Sequence, residues 1–285
     1  MPENDETAPR HDLQLGGMAL RDGVMLQSPA HWSAAVRLPD GSIKVRSGRK
    51  TKLPGRDAIA GVPVARGLLR LAENLSVLAP VRRELGTPVL PQEDPRLLGA
   101  TLASATGTML LRRFGRRAPL TRELAIAVMS FAPVLLALRG SELARFHGAE
   151  HKSVAAFESG QDPHAADKVH DRCGSNLVGP IMLTNLAGGL ALRGVKRERD
   201  PLSTLVMGMV TLGSAVEIFA WMARHRDHPM ARLLRQPGVR MQQFFTTREP
   251  DEGQLDVAQA ALQELLRLEG VESEAGLQAD PAPAL

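Results

Sequence analysis

Arg145-Phe146-His147-Gly148-Ala149-Glu150-His151-Lys152 follows a long apolar stretch and reads as a helix that carries chemistry. Its core is the pattern H-x-x-E-H. Residues four apart share one helical face, so His147 and His151 present two imidazoles to one point. Glu150, three residues after His147, lies on nearly the same face, placed to hold or deprotonate a water at a metal. A polar, hydrogen-bonded helix end is the other reading of the same residues, because a match at three positions also arises by chance. On either reading the stretch sets the fold, since it places a polar helix inside a run of apolar ones.

Working outward, four apolar segments stand at residues 97–111, 124–138, 177–192 and 202–222. They predict a mainly α chain with a helical core over residues 91–245. Only the last reaches the roughly 20 residues that a membrane-spanning helix needs. Basic residues flank two of them: Arg112, Arg113, Arg116 and Arg117 after the first, and Arg193, Lys196, Arg197 and Arg199 after the third. Such flanking suits short helices at a lipid interface, which points to membrane association through segments 177–192 and 202–222. The slightly negative mean hydropathy argues against deep embedding.

The ends of the chain read differently. Residues 1–12 form a polar, disordered lead with no charged-then-apolar signal sequence. Residues 13–90 are a hairpin and helix region. Trp32 to Arg37 and Ile43 to Arg46 are strand-like, with Pro39-Asp40-Gly41 as the turn between them. A helix is expected over 57–78 and a proline-marked linker over 88–95. Past His225 the chain reads as loop plus short helix, because Pro229, Pro237 and Gly238 interrupt it. Residues 246–270 hold a C-terminal amphipathic helix. Leu255, Ala258, Leu262, Leu265 and Leu266 form its apolar face, and Gln254, Gln263, Glu264 and Arg267 its outer face. Thr247 or Asp251 caps its start and Gly270 follows its end. Residues 271–285 form a disordered tail.

Composition narrows the function. A chain of 285 residues can bury a full core. Aromatic residues make up 3% of it with no Tyr, which leaves little for stacking on single-stranded bases. The net charge of +4 is spread along the chain and suits an anionic membrane surface; no specific nucleic-acid partner is expected. A single cysteine, Cys173, excludes an internal disulfide and fits a reducing compartment.

Several separated stretches resemble the YqhQ-like bacterial proteins, described as predicted metal-dependent, membrane-associated proteins of unknown function. Gly16-Gly17-Met18-Ala19 with Gly23-Val24-Met25 resembles their N-terminal signature, and Arg145 to Lys152 their central motif. Phe157-Glu158 falls where they carry an aromatic–Glu pair, and His170-Asp171-Arg172-Cys173-Gly174-Ser175 resembles their H-x-R-C-G-[ST] motif. Val216-Glu217 and Thr246-Thr247-Arg248-Glu249-Pro250 match later signatures in the same order. The chain departs from the family in its short, Ala/Gly-rich first two apolar segments and in Phe at 146 and 157 where Tyr is usual. The resemblance implies a site and a multi-pass membrane protein, with no substrate attached.

A catalytic metal needs a third protein ligand and an open position. Glu217 is preferred, because a carboxylate in an apolar segment is costly unless paired or metal-bound. A salt bridge to an arginine such as Arg224 is its alternative. Inverted-motif zinc proteases likewise draw a carboxylate from a distant helix. Glu158, two turns past His151, and His170 with Cys173, three apart, are accessory candidates. Arg172 could orient a carboxylate or a substrate carbonyl. Against these stand a cysteine as a small buried hydrophobe and an arginine facing solvent. Gly16, Gly17 and Gly23 are read as a tight turn.

Two functions follow. In the first, His147, His151 and Glu217 bind a divalent metal, zinc by preference. Glu150 is the general base of a peptidase-like hydrolase at the cytoplasmic face of the cell membrane, acting on a protein or peptide. In the second, the chain is a non-catalytic membrane-associated assembly or interaction protein, and the His/Glu cluster is a structural metal site or buried polar network.

Overall fold

The computed structural model describes residues 13–86, 95–114, 119–138, 142–191 and 201–271. The polar lead, most of the proline-marked linker, the tail from 272, and Arg116, Arg117, Arg193, Lys196, Arg197 and Arg199 lie outside the described residues.

Four strands, β1 (Gly16–Leu20), β2 (Gly23–Gln27), β3 (His31–Arg37) and β4 (Ile43–Arg49), form an antiparallel meander in chain order. The expected hairpin is its β3–β4 half, closed by the turn in which Gly41 takes a positive φ of 86°. The extra pair comes from Gly23-Val24-Met25-Leu26, a run with no alternation because both faces are covered. Val24, Leu26 and Ala35 point to one side, and Met25, Trp32, Ala34 and Val36 to the other.

Helices complete the layers. The helix expected over 57–78 is interrupted, giving α1 (Arg56–Ile59), α2 (Ala65–Ser76) and then α3 (Leu78–Leu85). Val77, Val81 and Leu85 cover one face of the sheet. The other face is covered by α6 (Glu142–Ser159) and α10 (Glu252–Glu269), which share a core of Leu143, Phe146, Ala149, Leu255, Leu262 and Leu265. Asp251 caps α10 in a reciprocal box with Gln254, and Gly270 ends it at φ 69°. Gln254 is therefore not on the outer face: it is buried and also donates to Glu142 at 2.6 Å.

The apolar segments form α4 (Pro95–Phe114), α5 (Pro119–Leu138), α7 (Val178–Ala191) and α8 (Pro201–Arg224), with α4 against α5 and α7 against α8. Among the described residues one helix, Leu205–Arg224, is long and apolar enough to cross a membrane. The stretch read as loop plus short helix is instead a 13-residue helix, α9 (Pro229–Met241), running into a π-turn over Gln242–Thr246. Pro229 sits harmlessly in the first turn. Pro237 is tolerated because Gly238 beside it packs directly on Ser175 and Asn176, where a Cβ would meet Asn176 Oδ1 at 2.3 Å. Tertiary contact there overrides the local breaker.

Candidate metal centre

His147 and His151 project from α6 one turn apart, their ring centroids 4.4 Å apart. Each ring is held from behind. His147 Nδ1 lies 2.8 Å from the Thr246 carbonyl oxygen and His151 Nδ1 lies 2.6 Å from that of Lys168. A carbonyl oxygen can only accept, so in each neutral ring Nδ1 carries the hydrogen and Nε2 keeps its lone pair. This is the outer-shell arrangement that orients metal-binding histidines.

Cys173 completes the group. Its Sγ is 3.4 Å from His147 Nε2, and the donor atoms of His147, His151 and Cys173 all lie within 4.8 Å of one another. Nitrogen and sulfur ligands of one tetrahedral zinc stand about 3.5 Å apart at normal bond lengths. The residues present therefore fit a divalent ion. Cys173 is placed by a turn rather than a helix. Its N–H donates to His170 O at 3.3 Å, and its carbonyl accepts from Asn176 N–H at 3.0 Å. Buried Asn176 donates to Asp171 O at 2.7 Å, and buried Gln242 accepts from the His170 N–H at 2.8 Å.

Glu150 stands inside this ring as a nearly fully buried carboxylate. One oxygen is 3.5 Å from His151 Nε2 and 4.0 Å from His147 Nε2, yet Glu150 is not among the three converging donors. Burial pushes its pKa up, against the pull of His147 and His170. Burial likewise lowers His151, against Cys173, and lowers His170, against Glu150. Neutral imidazoles are the form a metal needs.

Gly16 and Gly17 of the N-terminal signature line this site. Gly16 and Gly17 form no turn; they open β1, whose backbone lies over Glu150. A Cβ on Gly17 would come within 2.3 Å of Glu150 Oε1, so only glycine permits the approach. Gly23, at the start of β2, likewise sits tight against the Ala35 carbonyl. Gly148 does the same for the closing motif: a Cβ there would meet the Arg248 carbonyl oxygen at 2.0 Å. The Arg248 N–H donates to Ala144 O at 2.9 Å, and Glu249 takes the Lys152 ammonium at 3.0 Å. Residues 246–249 thus strap α6 along the face that carries His147.

Glu217 is a correction. It lies on α8 with both oxygens engaged by the Arg66 guanidinium, at 2.9 and 2.5 Å, and Cys173 takes the place expected for it beside the histidines. The salt-bridge alternative holds, with α2 supplying the arginine in place of Arg224. Glu158 is two turns along α6, where it pairs with Arg172 and lies 3.3 Å from His170 Nε2. His170 lies beside His151, its ring tilted by 42° with centroids 5.8 Å apart, outside the donor group. Arg172 lines the same cavity, about 60 Å³, together with Gly16, Gly17, Glu150 and His170.

Sequence reasoning missed the Thr246 and Lys168 carbonyls, Gln242 and Asn176. Backbone oxygens have no side-chain signature; the one pointer was the closing motif at 246–250.

The comparisons that bear on this arrangement are with the YqhQ-like proteins, to which the chain is similar. Residues 139–268, which span α6, the Cys173 turn and most of α10, match the family described as "Protein of unknown function (DUF1385)". The chain is 28% identical over 309 aligned positions to "Uncharacterized protein YqhQ" of Bacillus subtilis (strain 168), covering 91% of this chain and 94% of that protein. No solved structure matches the chain.

Proposed function

We propose that the chain is a metal-dependent hydrolase, with His147, His151 and Cys173 holding a divalent ion and Glu150 as general base. The supporting observation is the pair of Nδ1 contacts to Thr246 O and Lys168 O, which turn both Nε2 lone pairs toward Cys173 Sγ. Two imidazoles and a thiolate suit zinc, and three protein donors leave a fourth position open. Such an ion acidifies water and polarises a carbonyl. The chain does the rest. Glu150 accepts the proton, β1 shields it from bulk water, and Arg172 offers a cation to the substrate's carbonyl or carboxylate oxygen. An amide or ester of a protein or peptide is the substrate class.

Purified protein should hold about one zinc per chain. His151→Ala and Cys173→Ala should lose it, and Glu150→Gln should keep it while abolishing hydrolysis of peptide and ester reporters. A Glu217→Gln variant that loses metal while Cys173→Ala retains it would return the ligand set to the sequence-based one.

A second reading, a structural metal site in an assembly protein, draws on the cavity's size. About 60 Å³ is room for roughly four waters. X-ray absorption of the zinc form separates the two: a light oxygen ligand beside the three protein donors supports catalysis, and a fourth protein donor supports structure.

We also place the protein at the cell membrane. Only 22% of the span Leu205–Arg224 is buried, whereas the core helix of a soluble protein is mostly buried. Leu102, Met109, Val128 and Leu205 stand exposed on α4, α5 and α8. A thiolate reserved for metal suits the reducing, cytoplasmic side. Recovery of the whole chain in the soluble fraction without detergent would overturn this placement.

A further inference from the structure

The stretch α9 plus π-turn was unassigned by any motif except at its last residue. Its two faces differ sharply. Inward, Ala231, Gly238, Gln242 and Thr246 are buried, and Gln242 and Thr246 hold the backbone of His170 and the ring of His147. Outward, Met230, Leu233, Phe244 and Phe245 are exposed by 49, 64, 69 and 49%. Phe244 and Phe245 are adjacent and contact each other edge to face at 6.5 Å. Large apolar groups held outward on an ordered helix signal a surface that meets something.

Charge identifies what it meets. Between residues 224 and 249 stand Arg224, Arg226, Arg232, Arg235, Arg240 and Arg248 against two acids, Asp227 and Glu249, an excess equal to the whole chain's net charge of +4. Asp227 pairs with Arg232 and Arg235 with Asp171. The stretch also continues directly from the end of the candidate span at Arg224.

We infer that the outer face of α9 and its π-turn is an interfacial surface that lies on an anionic bilayer, with Met230, Leu233, Phe244 and Phe245 in the acyl boundary and the exposed Arg232 and Arg240 among the headgroups. An apolar stripe bordered by arginines is what in-plane membrane helices present. A nucleic acid would use the arginines and leave Met230 and Leu233 without a role. A second copy docked face to face would set arginine against arginine. The inference rests on the membrane placement proposed above but names a surface separate from the α8 span. Because the opposite face of the same helix fixes His147 and His170, the bilayer would lie one helix thickness from the metal centre, about 10 Å.

A tryptophan reporter tests this in the full chain: Phe244→Trp, or Leu233→Trp as a second reporter, in a Trp221→Phe background with buried Trp32 as a constant. The chain is reconstituted into phosphatidylcholine vesicles with and without phosphatidylglycerol, and brominated phosphatidylcholine serves as quencher. The expected result is blue-shifted emission with about twofold stronger quenching in anionic vesicles, reversed by Arg232→Ser with Arg240→Ser. A chain that incorporates while both reporters stay unquenched overturns this surface and leaves the α8 span standing. A chain that fails to associate at all overturns both. Emission that responds to added RNA, or to protein concentration alone, in place of lipid overturns the bilayer as occupant. Zinc content, read in the same preparations, reports on the metal centre independently.

Discussion

The sheet layer and the α4, α5, α8 layer dispose of apolar surface in opposite ways. In the first, β1–β4 are covered by α3 on one face and by α6 and α10 on the other, and Val24, Leu26, Ala35 and Leu265 are wholly buried. In the second, Leu102, Met109, Val128 and Leu205 are each at least 60% exposed, although α5 and α8 are among the most apolar helices of the chain. The histidines sit on α6, where the first region ends. Within a dry, close-packed layer each polar group must be paired, and His147, His151, Asn176 and Gln242 are. The second region leaves its apolar side chains exposed. The polar site is thus built against the closely packed layer, while the outward-facing helices carry exposed apolar surface.

The largest effect expected is at Leu265. Truncation to Ala in the sheet layer should cost about 2–5 kcal/mol, read as a lower urea midpoint of the detergent-solubilised protein. Leu205→Ala on α8 should cost under about 0.5 kcal/mol in the same assay. Equal costs would break the comparison, because they would mean that Leu205 is packed.

Next comes Arg66→Ala, which leaves Glu217 uncompensated on α8. The loss should be smaller than at Leu265, because the pair is partly exposed and Arg70 and Arg224 also stand near Glu217. Arg66→Ala combined with Glu217→Gln should recover part of it. A double variant no better than the single one would show that Arg66 acts through packing alone.

Gly17→Val should cost a comparable or smaller amount, about 1–2 kcal/mol, since its side chain would run into Glu150. Its sharper signature is chemical: zinc should remain bound while hydrolysis falls, because Glu150 moves and the three donors do not. Loss of metal with intact stability would tie β1 to the ligands.

The smallest effect concerns pH. Burial pushes the Glu269 carboxyl up, but hydrogen bonds from Ser28 and His31 outweigh it and hold the pKa below the usual carboxylate value. A depressed folded-state pKa contributes stability above the unfolded value near 4.5, and that contribution is lost as pH falls through the folded one. Glu269→Gln should therefore lower stability at neutral pH, by up to about 1 kcal/mol, and converge with the parent chain at acid pH, which flattens the acid limb of the melting-temperature profile. An unchanged acid limb would mean that the clamp between β3 and α10 does not form in solution.

The sequence by itself determined the elements whose signals are local. The 3.6-residue stripe of α10 with Asp251 and Gly270 at its ends, the turn at Asp40-Gly41 and the apolar runs of α4, α5, α7 and α8 were all legible, because periodicity and caps lie within a few residues of one another. So was the shared face of His147, Glu150 and His151, which helix geometry alone dictates. Tertiary structure decided the rest. It built β1 and β2, because a strand buried on both faces shows no alternation. It carried α9 through Pro237, because Gly238 packs on Asn176. It set Glu217 against Arg66, and brought Cys173 to the histidines by way of a turn whose conformation depends on buried Asn176 and Gln242. Which oxygen fixes a ring, and which donor meets another across the fold, are properties of distance through space, and residue spacing along the chain does not encode them.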